Sequence, residues 1–291
     1  MIGKKVLILG SRSFAASGLY ELLHNTRFEV TCFNRGDEAI NGDFVSGDVL
    51  ELSKNKYLNK NFDVVINYII LKDQSVQSNI NFIKEVVKFC KNNHVKHLIQ
   101  ISSISVYPND ATIINEYSDI EKNPDLKGNY SKVKIAVDNY LMNLEEDFLN
   151  ISFIRPGFII ADKNKISTAG IFKRLPFGIN ILLGNKTTIL PTTNRDLLHQ
   201  AILKILNSDS FEPVYLILSD PNYTKYRFVK DLQIQRVIVL PKAVTLFTAK
   251  FLLQIKLLNK TQFNQIAGLF KSTHFDCSIT QKKLKMNFNQ I

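Results

Sequence analysis

Two residues in the segment Asn129-Tyr130-Ser131-Lys132-Val133-Lys134 have types and spacing suited to proton transfer. Tyr130 and Lys134 are four positions apart, which on a helix puts both side chains on one face. A phenol with its ordinary pKa near ~10 is a poor acid or base at neutral pH. An ammonium group one turn away stabilises the phenolate and draws that pKa down, which makes a usable general acid–base. A second cluster, Ile101-Ser102-Ser103-Ile104-Ser105-Val106-Tyr107, places hydroxyls directly after an apolar run. Ser103 is there able to hold the substrate oxygen that Tyr130 protonates or deprotonates.

These groups need a scaffold, and the first 155 residues supply one. Near-continuous apolar runs at Lys5–Leu9, Glu29–Phe33, Asp63–Ile69, His97–Ser102 and Ile151–Arg155 read as strands covered on both faces. Amphipathic stretches at Ser17–His24, Gln77–Asn92 and Tyr130–Glu146 read as the helices between them. Strand and helix in alternation specify a parallel sheet, because parallel neighbours require crossovers. Ser103 then falls at the carboxyl end of a parallel strand, where ligands gather in such sheets. After Pro156-Gly157 the pattern loosens, with a helix near Leu197–Leu206, a strand at Val214–Leu218 and a long helix from Pro241 to Lys260. The expected fold is α/β: a Rossmann doubly wound parallel sheet over residues 1–155, with a smaller C-terminal substrate-binding part over 156–291 whose segments interleave with the sheet.

Strand one runs into Gly10-Ser11-Arg12-Ser13-Phe14-Ala15-Ala16, and the next helix is expected to open at Ser17. A dinucleotide needs a tight turn here, so that backbone N–H groups and the positive end of the helix meet its pyrophosphate. Gly10 supplies the turn. Ser13 and Ala16 stand where a G-x-x-G-x-x-G loop has its second and third glycines, and both are small. Strand two is followed by Asn34-Arg35-Gly36, at the level of the adenosine ribose. An acid there would accept from a free 2′-hydroxyl, whereas an arginine favours a 2′-phosphate. Arg35, with Arg12 in the loop, therefore favours NADP(H), with NAD(H) the alternative. Asp48 in Gly47-Asp48-Val49 is placed to accept from the adenine amino group.

In this order the motifs resemble those of an extended short-chain dehydrogenase/reductase of the NAD-dependent epimerase/dehydratase family, in particular its nucleotide-sugar 4-epimerases and 4-ketoreductases. The resemblance runs through ILGSRSFAASGLYELL, NRG, GDV, DVVINYI, NINFIKEVVKFCKNNHVKHLIQISSISVY, YSKVK, ISFIRPGFII and HFDCSITQKKLKM, nearly the whole chain. It implies that Ser103, Tyr130 and Lys134 form a catalytic triad and that Asn79 supports the lysine, often through water. It further implies that Tyr68 and Pro156 lie along the dinucleotide with Phe14, Ala15 and Val49. The glycine loop is the departure from the family pattern.

The positions after Ser103 narrow the reaction. Sugar dehydratases of the family carry an acid and a base there; this chain has Ile104 and Ser105, and isoleucine transfers no proton. No Cys/His pair suited to 3,5-epimerisation is evident. What remains needs only the triad and a hydride, which is reduction of a 4-keto sugar nucleotide or, as the alternative, 4-epimerisation. A non-catalytic NADP(H)-binding sensor or scaffold is the reading from another class. Ser105, Arg174, Phe177, Lys186 and Lys271 are the expected substrate contacts beside Ser103.

The chain carries a net charge of +11, and twelve Lys or Arg against two Asp fall between Pro221 and Ile291. Such a segment suits a phosphorylated ligand or an anionic surface. Val244, Phe247, Phe251, Ile255 and Leu258 form a stripe at helical spacing, with Lys242, Lys250, Lys256 and Lys260 elsewhere; packing inside the substrate part is the leading expectation. Weak contact with a membrane surface and a homodimer are the other expectations for this stripe. No basic–aromatic platform for nucleic acid is evident. Cys32, Cys90 and Cys277 are too dispersed for a disulfide framework, and His94 and His97 lack partners for a metal site. The apolar runs are too short to cross a bilayer, and the expected location is cytoplasmic, with the inner membrane face as a peripheral possibility.

Overall fold

The computed structural model describes residues 3–59, 61–145, 147–161, 172–182, 185–208, 210–220, 222–231, 233–268, 270 and 272–288, without the side chains of residues 172–174 and 265. The apolar runs pair as an eight-stranded sheet. Its strands in chain order are β1 (Lys5–Leu9), β2 (Glu29–Arg35), β3 (Ala39–Asn41), β4 (Phe44–Gly47), β5 (Val64–Asn67), β6 (His97–Ile101), β7 (Asn150–Pro156) and β8 (Val214–Ile217). Across the sheet they run β8-β7-β6-β5-β1-β2-β4-β3. The β1–β2, β2–β4, β1–β5, β5–β6 and β6–β7 pairs are parallel, and β3 folds back antiparallel on β4. This is the mixed α/β, Rossmann-type architecture that alternating strands and helices predict. Helices α1 (Leu19–His24), α2 (Val76–Asn92), α3 (Asn129–Met142) and α4 (Arg195–Leu206) accompany the sheet.

Strand order decides where a ligand sits. From β1 the chain proceeds outward to β2 and β4, then returns to place β5 on the other side of β1. The carboxyl ends of β1 and β5 therefore meet at a topological switch point, the crevice in which such sheets bind ligands. The apolar strand residues and one face of α2 make a continuous core that includes Leu7, Leu9, Phe33, Val65, Phe82, Val86 and Leu98. Cys32 and Cys90 are buried, free thiols.

The chain divides into two compact units. One comprises residues 1–103, 133–155 and 199–215; the other comprises 104–132, 156–198 and 216–291. The second unit contains a three-stranded sheet built from Phe172–Arg174, Asn180–Leu182 and Val237–Val239. It has its own small core of Leu182, Tyr223, Phe228 and Val229.

Three local expectations are corrected. The first helix opens at Leu19 and not at Ser17, because Gly18 takes a left-handed φ of +96° at the N-cap. The long C-terminal helix is two, Lys242–Gln254 and Lys260–Gly268. It stops because Lys256 turns left-handed (φ +59°), and the N–H groups of Lys256 and Leu257 close on the carbonyls of Leu253 and Leu252. That bonding pattern terminates a helix whatever the hydropathy of the residues beyond it. Finally, most of the stripe is unpacked: Val244, Phe247, Phe251 and Ile255 are exposed and Leu258 is partly buried, while the buried residue of the first helix is Ala249.

Candidate active site

In the first unit, β1 is followed by Gly10, whose φ of +82° suits glycine. A Cβ there would meet Ile69 Cγ1 at 2.8 Å, so the tight turn at the mouth of the crevice needs the missing side chain. The Ser13 N–H donates to the Gly10 carbonyl, and the N–H groups of Ala16 and Ser17 donate to the Ser13 carbonyl. Ala16 is buried, as a small residue at this helix–strand approach should be, whereas Arg12 and Phe14 are exposed.

Two side chains outside the loop hold it in place. Asn34 is buried in β2; its Oδ1 accepts from the Arg12 N–H at 3.0 Å and its Nδ2 donates to Ser11 Oγ at 2.9 Å. The amide read from sequence as a ribose contact is thus occupied with fastening the loop after β1, while Arg35 at the strand end is exposed. His199, on α4, donates from Nε2 to the Ala15 carbonyl at 2.9 Å. Nothing near it in sequence announces that role. Asp48 Oδ1 accepts from the Leu50 N–H at 2.9 Å, capping the turn that follows, and Val49 joins the core.

Tyr68 follows β5 at the switch point. It is buried, and its hydroxyl has no partner among the described residues. Burial drives its pKa upward, so the phenol stays protonated as a donor. A glycine cradle whose Cβ would clash and an orphaned buried hydroxyl, at the carboxyl ends of β1 and β5, fit a dinucleotide.

Lys134 lies on α3, one turn beyond Tyr130. It is buried, and its Nζ donates to the Ile101 carbonyl at 2.6 Å. Desolvation lowers its pKa to about 8, against the opposing pull of Asp138. Asp138 itself is wholly buried. Its Oδ2 accepts from Ser102 Oγ at 2.8 Å and from Arg155 Nη2 at 3.1 Å, while Oδ1 has no partner among the described residues. Burial raises its carboxyl pKa, and Arg155 is the foremost influence holding it down. The sequence reading missed this pair, although Tyr130, Lys134 and Asp138 continue a single four-residue spacing. Asn79 on α2 grips the loop before its helix: Oδ1 accepts from the Leu71 N–H, and Nδ2 donates to the carbonyls of Leu71 and Ser75. Asn79 and Lys134 also line one small cavity of about 10 Å³, the size of a single water. Ser103 is partly buried at the end of β6.

In the second unit Tyr130 is 48% exposed. A cavity of about 400 Å³ is lined by Ser105, Tyr107, Asn109, Lys127, Ser131 and Phe275, among others. Among the described residues its lining includes no carboxylate. Lys127, which sequence reasoning also missed, is buried and donates to the Tyr107 carbonyl and Asn109 Oδ1. Desolvation lowers its pKa. Its role depends on the 107–109 loop folding back against it, which no local spacing reveals. Gly157, after the buried Pro156, is required by close approach, since a Cβ there would lie 2.4 Å from the Pro191 carbonyl oxygen.

The remaining expected substrate contacts are scattered. Phe177 is 87% exposed, and Lys186 lies 5.1 Å from the centre of the Tyr226 ring. Arg174 ends a strand of the three-stranded sheet, its side chain outside the description, and Lys271 lies outside the described residues. Among the described residues no His/Cys/Asp/Glu cluster could hold a metal ion, and no helix is long and apolar enough to cross a membrane.

A parallel sheet with a glycine turn at its switch point and a Tyr-x-x-x-Lys helix defines a dinucleotide-dependent enzyme class. The NAD dependent epimerase/dehydratase family matches residues 6–200, and the chain belongs to that family. No curated protein matches it. Solved structures share the fold at low identity. UDP-glucuronic acid 4-epimerase from Bacillus cereus, in complex with UDP-glucuronic acid and NAD, is 16% identical at a TM-score of 0.71, covering 97% of this chain and 93% of its own. The terminal R domain of the myxalamid biosynthetic pathway is 16% identical at 0.71, with coverages of 98% and 85%. A human epimerase family protein with NADPH is 15% identical at 0.64, with coverages of 98% and 95%.

Proposed function

We propose that this chain is an NAD(P)-dependent oxidoreductase of nucleotide sugars, reducing a 4-keto sugar nucleotide with Tyr130 as the proton donor. The observation that carries the reading is the pairing on α3 of an accessible phenol, Tyr130, with a dry ammonium, Lys134, one turn away. The first unit would hold the dinucleotide through Gly10, Arg12, Ser13, Phe14, Ala15, Arg35 and Tyr68, with Asp48 and Val49 toward the adenine. The bound dinucleotide supplies the hydride. Tyr130 gives its proton to the carbonyl oxygen as that oxygen gains charge, and the Lys134 ammonium stabilises the phenolate left behind. Ser103 donates to the same oxygen. Asn79 fixes the loop before α2 and lines a water-sized cavity together with Lys134.

The second unit would take the sugar nucleotide in the cavity lined by Ser105, Asn109 and Lys127, with Arg174, Phe177, Lys186 and Lys271 as outer contacts. Ile104 directly after Ser103 argues against elimination of water, since it provides neither acid nor base. Arg35 at the end of β2 supports NADP(H) over NAD(H). A 4-epimerase would use the same residues but retain its dinucleotide between turnovers.

The test is NADPH oxidation with a panel of 4-keto UDP- and dTDP-sugars. Tyr130→Phe should lower kcat by ~10²–10⁴-fold, the share of general acid–base catalysis, with an unchanged melting temperature. Full activity in that variant refutes the mechanism. Stabilisation by NADP(H) with no turnover across the panel would favour a sensor instead.

A further inference from the structure

The helix Lys242–Gln254 is apolar on two opposite sides. One side faces the body of its unit through Ala249, buried, with Leu246, Leu252 and Leu253 partly buried around it. The opposite side carries Val244, Phe247 and Phe251 at helical spacing and continues to Ile255 at the C-cap. These residues are 56%, 76%, 53% and 47% exposed, and Leu257 in the link that follows is 70% exposed. A surface helix ordinarily turns polar residues to water; this one presents two phenylalanines.

Charge selects the occupant. Lys242, Lys250, Lys256 and Lys260 are all exposed along the helix and its link. From Pro221 to Ile291 cations outnumber anions twelve to two. A second copy would bring the same cations to the same face and be repelled. Nucleic acid matches the charge but would leave the aliphatic residues without a partner. An anionic bilayer surface answers both features, because its headgroups neutralise the lysines and its acyl boundary receives the aromatic and branched side chains.

We propose that the exposed face of Lys242–Gln254, with Leu257 and the flanking lysines, is an interfacial docking surface for anionic lipid. It lies flat on one leaflet with Phe247 and Phe251 inserted and Lys250 and Lys256 at headgroup level. The attachment is reversible and salt-dependent, since each lysine near a charged surface contributes roughly fivefold in partitioning.

The chain contains no tryptophan, so Phe247→Trp gives a single reporter in the full-length protein. Vesicles of phosphatidylcholine with phosphatidylglycerol should shift its emission to the blue, and pure phosphatidylcholine should not. Tyr117→Trp, exposed elsewhere, should not respond to either. In sedimentation with the mixed vesicles, the Phe247→Ser/Phe251→Ser variant should bind at least tenfold more weakly at an unchanged melting temperature. Lys250→Glu/Lys256→Glu should lose a similar amount at low salt. Wild-type protein left in the supernatant overturns the proposal. So does a serine variant that binds as well as wild type. A concentration-dependent dimer that the serine variant abolishes, without lipid binding, assigns the face to a second copy and also overturns it.

Discussion

Replacing Lys134 with methionine separates the cost of burying a charge from its use. In the folded chain the ammonium is buried, and its pKa falls from 10.5 to about 8. At ~1.4 kcal/mol per pH unit, keeping it charged at pH 7 costs about 3 kcal/mol. Its hydrogen bond to the Ile101 carbonyl returns about 1 kcal/mol. That carbonyl also accepts from Gln100 Nε2 at 3.3 Å, so the variant does not orphan it. Lys134→Met should therefore gain about 2 kcal/mol at pH 7, or about 4 °C in melting temperature, while losing turnover. The sign of the pH dependence follows from proton counting. Between pH 8 and 10.5 the unfolded chain binds a proton that the folded chain has released, so wild-type stability rises with pH across that window. The burial penalty is fully present below about pH 8 and is gone near pH 10.5. Urea unfolding of the cofactor-free proteins at pH 7 and pH 10 measures both ends, and the variant's advantage should shrink toward zero at the higher pH. A methionine variant less stable than wild type at pH 7, or an advantage indifferent to pH, would refute the reasoning.

Two other buried groups give predictions of different kinds. His97 donates from Nε2 to Ser152 Oγ at 2.9 Å, and burial lowers its pKa from 6.5 to about 4. The folded state refuses a proton that the unfolded state accepts, so about 3 kcal/mol of stability present above pH 6.5 is lost as pH falls toward 4. His97→Gln should flatten that acid limb in urea titrations, and an unchanged limb would assign acid lability to other groups. Asp138→Asn leaves the Arg155 guanidinium buried without its anion, which should cost about 3–5 kcal/mol. Removing both charges in Asp138→Asn/Arg155→Met should restore most of that loss. A double variant no better than the single would show that packing, and not charge, is what fails.

Where the sequence was readable, one kind of interaction dominated. The strands β1, β2, β5, β6 and β7 are apolar runs whose burial on both faces needs no detail to infer. The i,i+4 spacing of Tyr130 and Lys134 settles their common helix face. What escaped depends on backbone geometry or on distant chain. Gly18 delays α1 by its own φ, and Lys256 ends a helix whose hydropathy would have carried it further. Asn34 carries a polar side chain suited to a ligand, yet it spends both amide ends on Ser11 and Arg12. His199, Lys127 and Arg155 acquire their roles from partners 17 to 184 positions away. The same limit applies to the stripe at Val244, Phe247, Phe251 and Ile255: periodicity identifies an apolar face but not whether protein covers it.

On the proposed mechanism, burial along α3 matches what each of its residues is asked to do. Tyr130 in the first turn is 48% exposed, Lys134 one turn on is 4% exposed, and Asp138 a further turn on is fully buried. A phenol that exchanges protons with a substrate must be reachable, whereas the ammonium acts on it most strongly where water does not screen the field. Left alone, a dry lysine would shed its proton and lose that field. Asp138 opposes the loss with a negative charge, and Arg155 with Ser102 keeps that charge in place. Neutralising Asp138 should then lower the apparent pKa of Lys134 below about 8 as well as weaken the fold. If the pH profile of turnover in Asp138→Asn kept its alkaline limb unmoved, the buried carboxylate would be a support for Arg155 and nothing more.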